Sequence, residues 1–213
     1  MNLNNLTIKY WNIFYKKKKL VSKPTKFSIF CLKFLKSYKG ILFDLGCGNG
    51  RDTIFFNKNK INAMGLDVSS SAIKNNKKRY KAIKNKFKKG NFCLTFNKKK
   101  IKEKFSIYSR FTLHTINHEN EKKLIKSLIN QKNLEYIFIE TRTIQDEFFG
   151  VGKKIGRNEY ISNHYRRFIV PSELKKTLSK NFKIIYFKQS KSFAKFKSYK
   201  PNVLRVIAKK NNF

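Results

Sequence analysis

Seven consecutive residues, Asp44-Leu45-Gly46-Cys47-Gly48-Asn49-Gly50, are best placed in this sequence to meet a ligand. They follow a short apolar stretch, Ile41-Leu42-Phe43, and precede a run that reads as a helix, Arg51 to Asn57. A strand that turns into a helix through three glycines leaves bare backbone facing a crevice, because glycine has no Cβ and tolerates left-handed dihedrals. The helix start beyond it offers free N–H groups. A second acid, Asp67, closes the next apolar stretch, Ile61 to Leu66, one βαβ step further on. That is where a ribose-binding carboxylate stands in a nucleoside site, since a carboxylate only accepts and can take two hydroxyl donors at once.

The glycine spacing distinguishes between nucleosides. The dinucleotide fingerprint is G-x-G-x-x-G, whereas here the glycines fall at 46, 48 and 50 with Arg51 next. An acid two residues ahead of a G-x-G-x-G run resembles the first motif of the class I S-adenosylmethionine-dependent methyltransferases, Asp/Glu-x-Gly-x-Gly-x-Gly. The resemblance implies that Gly46, Cys47, Gly48 and Gly50 form the loop under the methionine part of S-adenosylmethionine. It implies that Asp44 holds the amino end and Asp67 the ribose hydroxyls. Gly90-Asn91-Phe92 stands where Gly-Asp-Phe is common in that family, so Asn91 takes the adenine contact through its carbonyl oxygen rather than a carboxylate.

The elements that must position these residues read as alternating strands and helices. Helices are expected at Leu6 to Lys17, Phe27 to Tyr38 (with Gly40 near its C-cap), Ser70 to about Lys84, Asn120 to Asn130 and from Pro171. Strands are expected at Ile41 to Asp44, Ile61 to Leu66, Phe87 to Leu94, Phe105 to Tyr108, Leu134 to Glu140, Lys183 to Lys188 and Val203 to Ala208, with Asn97 to Lys100 a solvated loop. This order predicts an α/β fold with a doubly wound, mostly parallel sheet, and one domain over 1–213 made of N-terminal helices (1–39) and an α/β core (40–213). The family resemblance implies seven strands, the last antiparallel.

Ligands in such sheets bind beyond the carboxyl ends of the strands. That rule selects Tyr108-Ser109-Arg110-Phe111-Thr112-Leu113-His114 and Glu140-Thr141-Arg142. Nearness to the Pro171 helix adds Asn163-His164-Tyr165-Arg166-Arg167-Phe168. A methyltransferase must align an acceptor and, where needed, remove its proton. His114 is the first candidate for that, as a neutral imidazole titrates near working pH, and Glu140 the second. Arg110, Arg142, Arg166 and Arg167, with His164 and Tyr165, form the candidate substrate site, and guanidinium forks suit phosphate or carboxylate. Pairing of these arginines with Asp146, Glu147 and Glu159 is the competing use. His114 and His118 lie four apart, but no ligand motif accompanies them and no metal is expected.

The wider pattern, from Tyr10-Trp11-Asn12-Ile13-Phe14-Tyr15 through Ile139-Glu140-Thr141-Arg142 to His164-Tyr165-Arg166-Arg167-Phe168, resembles a bacterial subgroup of the family. Its members look like enzymes of surface-polysaccharide or related small-molecule pathways. The reading is therefore methyl transfer, in O-methylation, to a small anionic metabolite or sugar.

Composition bounds the alternatives. The 213 residues carry a formal net charge of +38, with only 12 Asp and Glu. An RNA methyltransferase is one reading of that charge, and an A/T-rich genome, with lysine, asparagine, isoleucine and phenylalanine abundant together, is the blander one. However, the lysines are scattered without a dominant cluster, and Tyr108-Ser109-Arg110-Phe111 is not the Asn/Asp-Pro-Pro-Tyr/Phe of amino-directed nucleic-acid enzymes. Non-specific RNA adhesion at low salt follows from the charge in either case. A non-catalytic binding protein that keeps the fold is the third reading. Three separated cysteines, Cys31, Cys47 and Cys93, make neither a disulfide frame nor a thiolate zinc site. With no signal-like N-terminus and no long apolar run, a cytoplasmic protein without membrane insertion is expected.

Overall fold

Near-continuous apolar runs give the central strands two buried faces, and two sets of helices cover them. The computed structural model describes residues 3–17, 21–96, 100–196 and 198–211. Of the loop expected at Asn97 to Lys100, the first three residues lie outside the described residues. Two N-terminal helices, α1 (Leu3–Lys17) and α2 (Lys26–Leu35), lead into β1 (Ile41–Leu45), α3 (Arg51–Lys58), β2 (Asn62–Asp67), α4 (Ser70–Arg79) and β3 (Phe87–Lys89). A one-turn helix α5 (Phe92–Thr95) precedes β4 (Phe105–Arg110), α6 (His118–Ile129) and β5 (Leu134–Arg142). Three short strands follow, β6 (Lys153–Gly156), β7 (Glu159–Ile161) and β8 (Tyr165–Arg167), then α7 (Pro171–Ser179), β9 (Phe182–Ser190) and β10 (Val203–Lys210).

The main sheet has seven strands in the order β3-β2-β1-β4-β5-β10-β9. Strands β1 to β5 pair in parallel, and β10 runs antiparallel to both neighbours. This is the doubly wound, mostly parallel architecture read from the sequence. The direction of winding reverses between β1 and β4, which opens a crevice at their carboxyl ends.

Alternation along the strands divides the core. Leu42, Tyr108, Phe138 and Ile207 face Phe27, Cys31 and Leu35 of α2 and Phe56 of α3. Leu45, Ile107, Ile139 and Val206 belong to the opposite layer, with Leu124 and Leu128 of α6 and Leu174 and Leu178 of α7. Each such fully buried side chain contributes about 1.5–3 kcal/mol. No helix among the described residues is long and apolar enough to cross a membrane.

Four local expectations are corrected. The second helix stops at Leu35 with Lys36 as its cap. Gly40 is not that cap: a Cβ there would strike the Lys104 carbonyl and the Tyr38 ring, so the glycine admits close packing at the start of β1. The helix after Ser70 breaks at Tyr80 (φ −117°, ψ 63°) and continues only as a 3-10 stretch, Lys81–Lys86. The strand expected over Phe87 to Leu94 ends at Lys89, because the Asn91 side chain accepts from Cys93 N–H at 3.0 Å and starts a helical turn. Finally, β6, β7 and β8 form a separate antiparallel sheet that the sequence reading did not assign.

Candidate functional site

Strand register builds the site before any side chain is considered. Asp44 on β1 is level with Gly65 on β2 and with Tyr108 on β4. Arg110 on β4 is level with Glu140 on β5, and Glu140 with Arg205 on β10. Level residues on neighbouring strands point to the same face. The carboxyl edge therefore carries an acid at its centre and an arginine–glutamate–arginine row beside it.

The glycine loop leaves β1 in left-handed turns. Gly46 has φ 66° and Gly48 φ 53°, conformations open to glycine and strained for other residues. Gly46 and Cys47 donate to the Leu66 carbonyl at 2.8 and 3.0 Å, which ties the loop to β2. Asp67 completes the tie: its carboxylate accepts from Gly48 N–H at 2.9 Å and Ser69 N–H at 2.8 Å. Burial pushes the Asp67 carboxyl up, and these two N–H donors oppose that shift. Each carboxylate oxygen keeps a second lone pair for a further donor.

Asp44 is enclosed, accepting from the Thr53 hydroxyl at 2.6 Å. Burial first, then the nearby Asp52 and Asp67 charges, push its carboxyl up to about 8. A carboxyl raised in the folded state binds a proton that the unfolded chain releases near pH 4, so folding stability falls as pH climbs from about 4 to 8. Asp44→Asn removes that loss. Its melting temperature should match the parent near pH 4 and exceed it by pH 8.5, as followed by circular dichroism without ligand; an equal gap at both pH values would refute the assignment.

Asp52, on the first turn of α3, fixes the other side of the loop. It accepts from Thr25 N–H, the Thr25 hydroxyl, the Ser28 hydroxyl and the Tyr108 hydroxyl at 2.8–2.9 Å. This buried hub joins the start of α2, helix α3 and strand β4.

A cavity of about 990 Å³ runs along the carboxyl edge, large enough for a nucleoside cofactor and a second small molecule. Asp44, Gly46, Cys47, Gly48 and Asp67 line one end, with Val68 and Phe92. Arg110, Glu140, Arg142, His164 and Arg166 line the rest, so most of the residues singled out in the sequence converge on one space.

Five others do not line it. Gly50 (φ 74°) turns the chain against the Phe87 ring. Asn91 is exposed, with its carbonyl oxygen taken by the α5 cap. Arg167 is buried on Glu121 and donates to the Ile116 carbonyl at 3.0 Å. Tyr165 is buried beside it on β8. His114 is buried edge-on to Phe111, and burial followed by Arg142 and His164 holds its imidazole well below the ordinary range.

Within the lining, the expected pairing of arginines with acids is partial. Glu140 sits between Arg110 at 3.0 Å and Arg205 at 2.7 Å. Arg142 pairs with Asp146 at 2.6 Å. Arg166 donates to the Ser162 hydroxyl at 2.7 Å and has no carboxylate partner among the described residues. The guanidiniums lie over rings: Arg110 on Phe111 at 4.3 Å, and Arg142 and Arg166 on Phe148 at 5.2 and 5.4 Å.

The sequence reading placed α1 but gave it no part in the site. Tyr10, Trp11, Phe14 and Tyr15 all face the cavity. Tyr15 packs on Gly48, and the Asn12 side chain meets Ser69, Ser70 and Ser71 at the start of α4. Tyr10 stacks on His164 at 4.6 Å, and Trp11 meets that ring edge-on at 5.4 Å. The available signal was the spacing 10, 11, 14, 15, which puts four aromatic rings on one helix face. Phe193, Phe196 and Tyr199, between β9 and β10, were also missed and form the outer rim.

Comparison with known proteins agrees with this geometry. Residues 42–131 match the family model described as Methyltransferase domain, a segment that spans the glycine loop, Asp67 and the end of β4. No curated protein matches the chain in sequence. Among solved structures, an S-adenosylmethionine-dependent methyltransferase from Anabaena variabilis is similar, with TM-score 0.71, 21% identity, and coverage of 99% of this chain and 96% of that one. One from Clostridium acetobutylicum has TM-score 0.66 and 14% identity, covering 98% and 99%. The glycopeptide N-methyltransferase MtfA, solved with S-adenosylhomocysteine, has TM-score 0.62 and 15% identity, covering 92% and 93%. The chain thus matches a methyltransferase domain over residues 42–131 and shares the fold of these solved structures.

Proposed function

We propose that this enzyme moves a methyl group from S-adenosylmethionine to an oxygen of a small anionic metabolite, such as an acidic sugar of a surface-polysaccharide or related pathway. When bound, the cofactor supplies an activated methyl group. In this reading Asp67 takes the ribose hydroxyls, Asp44 the amino end, and the bare backbone of Gly46 to Gly48 lies under the methionine part. The N–H donors on Asp67 oppose the upward push of burial on its carboxyl, and an ionised carboxylate is the double acceptor this role requires.

The acceptor class rests on Arg166. It lines the cavity beside Arg142, its guanidinium is half-buried, it donates to the Ser162 hydroxyl and lies over the Phe148 ring, and it has no salt bridge to a carboxylate among the described residues. A buried cation without a carboxylate is costly unless a ligand anion completes it. The low position of both histidines has the same origin, since Arg142 and Arg166 repel a proton from each after burial has done so.

Label transfer from S-adenosylmethionine into a metabolite extract, fractionated by charge and identified by mass, tests this. Label should enter an anionic compound, and Arg166→Gln should lower transfer at limiting acceptor about 10- to 100-fold, as for one charge-assisted contact. Affinity for S-adenosylhomocysteine should be unchanged. Label confined to neutral compounds would overturn the reading. The charge of +38 favours a polynucleotide acceptor as the second reading. Label in RNA that survives high salt and competing polyanions would support it.

A further inference from the structure

Among the described residues the cavity lining includes one histidine, His164, and no acid is paired with it. We propose that His164 accepts the proton of the acceptor hydroxyl, in place of His114, when the acceptor's anionic group lies on Arg166; this rests on the anionic-acceptor reading above. His164 lines the cavity two residues before Arg166, whereas His114 lies outside the lining. Its ring is held between elements: Tyr10 stacks on it from α1, and Trp11 meets its edge. Its Nδ1 is enclosed with no hydrogen-bond partner among the described residues. A buried polar atom in that state lacks a partner the site should supply.

The charged groups around it are cations. Arg166 on β8 and Arg142 on β5 repel a proton, and with burial, the larger cause, they push the imidazole down to about 3. Tyr10 and Trp11 on α1 bring no charge, and His114 beneath is itself held neutral. The ring is thus a free acceptor at every physiological pH, but a weak base. An anion on Arg166 cancels the repulsion and adds attraction, which raises the basicity of His164 when an acceptor is present. Stray water is activated less than a bound anionic hydroxyl. In the transfer step the acceptor oxygen gains the methyl carbon as its O–H bond breaks, and the proton passes to the imidazole and then to solvent. The electron pair of the broken carbon–sulfur bond stays on sulfur, so charge and atoms balance.

Nuclear magnetic resonance of protein with labelled histidine and arginine side chains tests this with inorganic phosphate as the probe. The His164 signals are assigned from His164→Gln. In the parent, phosphate should shift the Arg166 signal and raise the His164 transition by at least one pH unit. Arg166→Gln should raise the transition without phosphate and make phosphate ineffective. If phosphate moves Arg166 but not the His164 transition, this proposal fails and the anionic-acceptor reading stands. If phosphate touches neither, both fail. In the label-transfer assay His164→Gln should lose about 100-fold in rate, with S-adenosylhomocysteine affinity retained. A parallel loss in His114→Gln but not in His164→Gln would return the role to His114.

Discussion

Replacing Glu140 with alanine lowers the melting temperature by about 10 °C, the largest stability change expected for a single site residue. Glu140 is 1% exposed and contacts guanidiniums on both neighbouring strands, Arg110 at 3.0 Å and Arg205 at 2.7 Å. Its removal leaves the buried Arg205 and the half-buried Arg110 facing each other across β5 without an acid between them. Breaking a buried pair typically costs about 3–5 kcal/mol, a large share of the 5–15 kcal/mol that holds a domain folded. Arg205 has further support, since it lies over Phe193 at 4.3 Å and donates to the Phe193 carbonyl at 3.2 Å. The rim around Phe193 should therefore loosen with it. Glu140→Leu combined with Arg205→Met should recover part of the loss, because an apolar replacement of a whole ion pair is often neutral. Thermal and urea unfolding measure both. If Glu140→Ala melts like the parent yet transfers no methyl group, Glu140 acts as a base and its ion pairs are incidental.

The second large effect falls on ligand binding. Asp67→Ala should weaken S-adenosylhomocysteine binding by about 100- to 1,000-fold in calorimetry, with a smaller loss of stability. The carboxylate does two jobs in one place. It anchors Gly48 N–H and Ser69 N–H, and in the proposed site its remaining lone pairs accept from the ribose hydroxyls. Charge-assisted hydrogen bonds are worth about 1.5–3 kcal/mol each, and every 1.4 kcal/mol is tenfold in affinity. Parent-like binding by Asp67→Ala would remove the nucleoside end from this loop.

The glycine-loop end of the cavity was legible because its information is local. Three glycines, an acid ahead of them and an acid one βαβ step later are fixed by chain geometry, and the loop folds as that spacing demands. Strand five was legible for a similar reason: Leu134 to Glu140 is apolar almost throughout, as a strand covered on both faces must be. Phe87 to Leu94 misled because an apolar run of that length fits a buried strand or a helical turn equally well. The Asn91 cap decided it, and Phe92, Cys93 and Phe96 reach the core from α5. The small sheet of β6 to β8 escaped because its strands are three or four residues long and largely polar. Its one cue was Arg157-Asn158 between Gly156 and Glu159, a two-residue turn with Asn158 at φ 60°. Which arginine meets which acid was beyond a linear reading. Glu140 and Arg205 are far apart in sequence and become partners only through the antiparallel register of β10 on β5.

Helix α1 has a bearing on turnover. It presses Tyr15 onto Gly48 at one end and holds His164 with Tyr10 and Trp11 at the other. One element thus closes both ends of the cavity, so that a displacement of α1 would uncover Gly48 and His164 together and open the whole trough at once.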